Sequence, residues 1–180
     1  MLERKLIDTA QVPGGAELQL ISHGRDHMIT LERNELMSTR MQFSEEQLAE
    51  LTIDRLTAPK PNMLIGGYGM GFTLRAALAR LGADVKVVVA ELMPEIIEWA
   101  HGPMAGVADG CLDDPRVSLR MGDVGEAIRQ ANAEYDAILL DVDNGPDGLV
   151  REDNDGLYSA AGLQAAKRAL RPGGVLAIWS

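Results

Sequence analysis

Met63-Leu64-Ile65-Gly66-Gly67-Tyr68-Gly69-Met70-Gly71 joins a short apolar run to four glycines in six positions. Residues with helical spacing follow: Phe72, Leu74, Ala76, Ala77, Leu78 and Leu81. The next apolar run, Val85-Lys86-Val87-Val88-Val89-Ala90, ends on the carboxylate of Glu91. Strand, glycine turn, helix, strand and terminal acid is the order in which a doubly wound α/β fold holds a nucleoside. The glycines Gly67, Gly69 and Gly71 let backbone approach the ligand, and the acid accepts hydrogen bonds from ribose hydroxyls.

Outward from that stretch, strands and helices alternate. Strands are expected at 62–66, 85–91, 116–120, 136–141 and 174–179, with helices near 71–82, 94–101, 123–132 and 157–170. Pro94 suits a first helical turn, and Arg171-Pro172-Gly173-Gly174 is expected to be a tight turn feeding the last strand. Such alternation implies a largely parallel sheet with right-handed crossovers. Upstream, Glu17–Ile21, His27–Leu31 and Glu35–Thr39 read as a small antiparallel meander. A helix then opens at Ser44, an expected N-cap with Gln47 at the capping-box spacing, and Pro59 and Pro61 close the segment. The expected division is 1–58, a β-meander plus helix, and 59–180, a Rossmann-like nucleoside-binding domain. Gly174–Trp179 reads as a buried strand, so the sheet is expected to continue beyond Ser180 in C-terminal strands that the chain lacks, or to be covered there by a second copy in a homodimer.

The chain has 180 residues, enough for one sizeable core, and a net charge of −10. With no Lys/Arg run, such a surface repels nucleic acid phosphates, while a negative field suits a cationic substrate. No run approaches the roughly 18 apolar residues of a membrane span. A single cysteine, Cys111, excludes an internal disulfide, and the expected address is the cytoplasm. His23, His27 and His101 make no metal spacing with Cys111, so no metal is expected. Trp99 and Trp179 read as packing residues, and the nine methionines as core filler.

The order of these pieces resembles the spermidine synthase family of aminopropyltransferases, within the wider class I S-adenosylmethionine-dependent methyltransferases. Ile65–Gly71 stands where that family has its glycine-rich loop, and Val89-Ala90-Glu91-Leu92 resembles its strand ending in a ribose-binding carboxylate. Asp113-Asp114-Pro115-Arg116-Val117 followed by Met121-Gly122-Asp123 resembles its "DPRV…GD" element, whose last Asp lies by the adenine. Tyr135–Asp141, Leu157-Tyr158-Ser159 and Leu170–Gly174 resemble later landmarks of the same domain.

The resemblance implies a donor, decarboxylated S-adenosylmethionine or S-adenosylmethionine itself, and a small-molecule amine acceptor. It places Gly67, Gly69, Gly71, Glu91, Asp123 and Asp141 around the donor. It places Asp141 and Asp143 toward the amine, with Asp143 as base. The family's second loop acid falls on Asn144, which takes no proton near neutral pH, so base chemistry passes to Asp143 or Asp141. Met37 stands near a family glutamine, and Arg40–Glu46 lacks the family's tyrosine. Glu45 and Glu46 are read chiefly as first-turn residues serving the helix dipole, and Arg75 as a helix-surface residue. Three functions follow: aminopropyl transfer, methyl transfer to a small acceptor, and a non-catalytic nucleoside-binding homologue.

Overall fold

The computed structural model describes residues 3–13, 15–32, 34–142 and 156–179. It contains two sheets. Strands β1 (Arg4–Gln11), β2 (Glu17–His23), β3 (Asp26–Leu31) and β4 (Asn34–Ser38) form an antiparallel sheet in chain order. Helix α1 (Phe43–Ile53) leads from it to a second, parallel sheet. That sheet contains β5 (Asn62–Gly66), β6 (Lys86–Glu91), β7 (Val117–Met121), β8 (Tyr135–Leu140) and β9 (Leu170–Ile178), in the order β7-β6-β5-β8-β9. The crossovers carry α2 (Phe72–Arg80), α3 (Pro94–His101), α4 (Val124–Gln130) and α5 (Ala160–Ala169). The fold is α/β with a doubly wound parallel sheet, as the alternation implies.

All five strands run parallel, and the order in which successive strands are added reverses between β5 and β8, the switch point at which such folds open a crevice beyond the strand carboxyl ends. Gly66 pairs with Ala90 on one side and Leu140 on the other. The ladder runs on into the loops: the Gly67 amide donates to the Ala90 carbonyl at 2.8 Å and the Asp141 amide to the Gly66 carbonyl at 2.9 Å. The ends of β5, β6 and β8 are thereby held level. Beneath them, Met63, Leu64, Ile65, Val87, Val89 and Leu139 are buried, as a parallel sheet covered on both faces requires.

The antiparallel sheet packs onto this layer. Leu18, Leu20, Ile29 and Leu31 share one apolar cluster with Met63, Ile65, Leu74 and Trp99. The Trp99 indole N–H donates to the Asp8 carboxylate at 2.8 Å, tying β1 to α3.

Three local expectations are corrected. Strand β1 was not anticipated, because only Ala10 of its residues is buried and no alternation marks it. Ser44 is not the N-cap of α1. Gln42 holds that position without a side-chain bond, and the Ser44 hydroxyl donates to Glu45 instead, at 2.6 Å. Arg171–Gly174 lies within β9 as an irregularity, between the pairs Tyr135↔Leu170 and Ala137↔Val175. The Asp136 carboxylate anchors it, accepting from Arg171 and from the Asn62 amide, each at 2.8 Å.

Candidate functional site

The glycine loop owes its course to close backbone approach. At Gly67, φ is +87°, and a side chain would run into the Asp141 carbonyl. At Gly71, φ is +83°, and a Cβ would lie 2.6 Å from the Tyr68 hydroxyl and 2.7 Å from Ala108. Only glycine meets both demands at either position. Gly69 faces the antiparallel sheet, where a Cβ would sit 3.2 Å from the Met37 sulfur.

Glu91, at the end of β6, is 6% exposed. Its Oε2 accepts from the Tyr68 amide and its Oε1 from the Met93 amide, each at 2.8 Å. Burial pushes its carboxyl above the ordinary value, and the backbone donors pull the other way. One carboxylate therefore ties the glycine loop to the turn that starts α3. Asp123 caps α4, accepting from the Gly125 amide at 2.8 Å and the Glu126 amide at 3.2 Å, with Arg129 at 3.1 Å. Asp141, one residue past β8, accepts at Oδ2 from the Thr73 hydroxyl at 2.5 Å.

These groups surround two adjoining cavities. The first, of about 100 Å³, is lined by Gly67, Gly69, Glu91, Asp123 and Asp141, with Met93, Ile96 and Val12 among its apolar walls. The second, of about 50 Å³, is lined by Glu45, Asp141, Tyr68, Phe72 and Trp179, with Leu36 and Met70. Met37, Gly69, Asp141 and Val142 belong to both, so the two spaces meet at a shared wall that carries a carboxylate. Among the described residues that line them there is no Lys or Arg. Gly71 lines neither, and its place is in the turn beneath Tyr68. Asp143 and Asn144 lie outside the described residues.

The two first-turn acids of α1 divide. Glu45 lines the second cavity, whereas Glu46 is paired with Arg75 at 2.7 Å. Arg75 also donates to the Gln42 side chain at 2.8 Å and the Val107 carbonyl at 3.0 Å, and so is committed to holding α1, α2 and the chain after α3 together. Trp179, read from sequence as packing, is a wall of the second cavity. Thr73 was missed altogether. A buried hydroxyl in an otherwise apolar first turn is the signal that marks it, but its partner Asp141 is 68 residues away.

Among the described residues no group of three His, Cys, Asp or Glu side chains is placed to hold a metal ion, and no helix is long and apolar enough to cross a membrane.

Comparison with known proteins agrees with this fold. Residues 41–179 match the model of the spermine/spermidine synthase domain. Putrescine N-methyltransferase 2 of Nicotiana attenuata is 33% identical over 132 residues, covering 73% of this chain and 33% of that protein. Spermidine synthase 2 of Arabidopsis thaliana is 34% identical over 134 residues, covering 73% of this chain and 37% of that protein. The chain thus spans about a third of the length of these curated relatives. A solved spermidine synthase in complex with the transition state analogue AdoDATO superposes with a TM-score of 0.80 at 23% identity, over 97% of this chain and 57% of that one.

Proposed function

Since the chain belongs to the spermine/spermidine synthase family, we propose that it transfers an aminopropyl group from decarboxylated S-adenosylmethionine to a small amine. The observation that carries this reading is the pair of cavities meeting at Asp141. In it the first cavity takes the sulfonium nucleoside and the second takes the amine. The transferred carbon sits at the shared wall.

The chemistry asks little covalent work of the protein. The amine lone pair forms the new C–N bond as the C–S bond breaks, and sulfur leaves as a neutral thioether. The proton of the ammonium must go to a base before or during attack. In this proposal Gly67 and Gly69 give backbone access to the donor and Glu91 receives ribose hydroxyls on lone pairs its amide partners leave open. Asp123 receives the adenine amino group beside its capping bonds. Asp141 and Glu45 attract the ammonium, and the aromatic walls Tyr68, Phe72 and Trp179 suit a cation passing between them. Asp143 is proposed as the base on the strength of the family resemblance.

The lining favours a donor without a carboxylate. Glu45, Glu91, Asp123 and Asp141 face the two cavities with no cation among the described lining residues, and Arg75 is engaged elsewhere. A carboxylated tail would meet acids rather than a donor. Methyl transfer from S-adenosylmethionine is the second reading, supported by the likeness to a putrescine N-methyltransferase.

Calorimetry with decarboxylated S-adenosylmethionine, S-adenosylmethionine and methylthioadenosine in parallel tests the proposal. Tighter binding of the decarboxylated donor, with aminopropyl product formed from putrescine, is the expected result. Preference for the full cofactor with methylated product would transfer the assignment to the second reading. A folded protein that binds none of the three would sink both.

A further inference from the structure

Thr73 is the second residue of α2 and only 2% exposed. Its Oγ1 lies 2.5 Å from Asp141 Oδ2 and 3.3 Å from the Glu45 main-chain carbonyl. A hydroxyl carries one proton, and the shorter contact to an anionic acceptor takes it. The carboxylate that receives it stands on the wall shared by the two cavities, and Glu45 is itself a lining residue of the second. One side chain therefore touches the start of α1, belongs to the start of α2 and grips the end of β8.

We infer that Thr73 is a positioning residue for Asp141: it fixes the plane of that carboxylate at the junction of the cavities and so sets the line along which an amine meets the donor. The inference rests on the transferase reading for its functional half. An unbound Asp carboxylate turns about its χ2 torsion through a broad, roughly two-fold profile. The Thr73 hydroxyl, held on the first turn of α2, favours the orientation that presents Oδ2 to it. Because α2 follows directly from the glycine loop, the same hydroxyl registers the donor-binding loop against the amine-facing acid. Misplacement by a fraction of an ångström at such a junction falls on kcat more than on binding.

The test compares Thr73→Val, which keeps the shape and removes the donor, with Thr73→Ser, which keeps the donor. In the first arm the Asp141 carboxyl resonance is followed in protein labelled with ¹³C at aspartate, assigned by its loss in Asp141→Asn. The resonance should move in Thr73→Val and return to its original place in Thr73→Ser. An unmoved resonance in Thr73→Val overturns the inference whether or not the protein turns over. In the second arm, transfer to putrescine is measured with the donor that supports turnover in the parent protein. Thr73→Val should lower kcat about tenfold with donor affinity and melting temperature held, and Thr73→Ser should recover it. Equal loss in donor affinity and melting temperature would make Thr73 a packing residue only. An inactive parent protein whose resonance still moves counts against the transferase reading and leaves the Thr73–Asp141 link standing.

Discussion

Asp114 and Arg116, the charged pair of the "DPRV" segment, illustrate what single residues do for this molecule. The Arg116 guanidinium grips Asp114 with both arms, Nε and Nη2 each at 2.8 Å, and its Nη1 donates to the carbonyls of Leu78 at 3.0 Å and Leu81 at 2.8 Å. The pair therefore closes the C-terminal end of α2, where unpaired carbonyls and the helix dipole both favour a cation. Those hydrogen bonds from Arg116 hold the Asp114 carboxyl down to about 2, from an ordinary 3.8. A depressed carboxyl stabilises the fold above its unfolded value and loses that contribution as it protonates. The stabilisation should be complete above pH 3.8 and fall away on acidification toward pH 2. Asp114→Asn should flatten the pH dependence of the urea midpoint across that window, and an unchanged slope would show that the pair does not couple to folding. Arg116→Met should cost about 1–2 kcal/mol at neutral pH through the carbonyls it leaves bare. At Glu91 the prediction concerns binding. Glu91→Gln should weaken methylthioadenosine by about 1–3 kcal/mol, and equal affinity by calorimetry would remove Glu91 from the proposed ribose contact.

At the scale of elements, the glycine loop is the most constrained segment, and Gly67 is its most sensitive point. Alanine there would hold a left-handed conformation and push on the Asp141 carbonyl. Gly67→Ala should therefore destabilise by about 2 kcal/mol or more and displace the end of β8, read as a lower urea midpoint together with weaker donor binding. The central strands β5, β6 and β8 were legible in sequence because each is a mostly apolar run closed by glycine or acid, and those signals are local. The strand read at 62–66 is β5, and the helix read at 94–101 is α3, residue for residue. Elements held by distant partners were not legible. Strand β1 has an exposed, unpatterned sequence and is placed by its ladder to β2. The start of α1 shifted from Ser44 because Gln42, the residue at the cap, turns its side chain to Arg75 on α2. Of the candidate site, the strand-end acids Glu91, Asp123 and Asp141 were visible as residues. The capping bonds of Asp123 are local and open to a sequence reading, but that Glu91 also holds the Tyr68 amide, and that Thr73 stands behind Asp141, required the tertiary contacts.

For the whole molecule, the important relation is that the antiparallel sheet supplies part of both cavities. Val12 and Met37 reach the first, and Leu36 and Met37 the second, so neither space is complete within the parallel sheet alone. A ligand that spans this junction binds only the assembled form. Methylthioadenosine at a hundredfold excess over its Kd should therefore stabilise the chain by about 2.7 kcal/mol, seen as a rise in melting temperature. A binding heat without such a rise would place the ligand on a part that survives unfolding of the rest.

The two tryptophans divide the molecule between them in a way an optical experiment can use. Trp99 is enclosed where β1 meets α3, with its indole bound to Asp8, and Trp179 stands in the wall of the second cavity. Intrinsic fluorescence thus carries two separable signals: a constant one from the junction of the sheets, lost only on unfolding, and one that answers to whatever enters beside Asp141. In Trp99→Phe protein the emission of Trp179 alone becomes a label-free titration signal for amines, built into the chain at the place where the acceptor is proposed to sit.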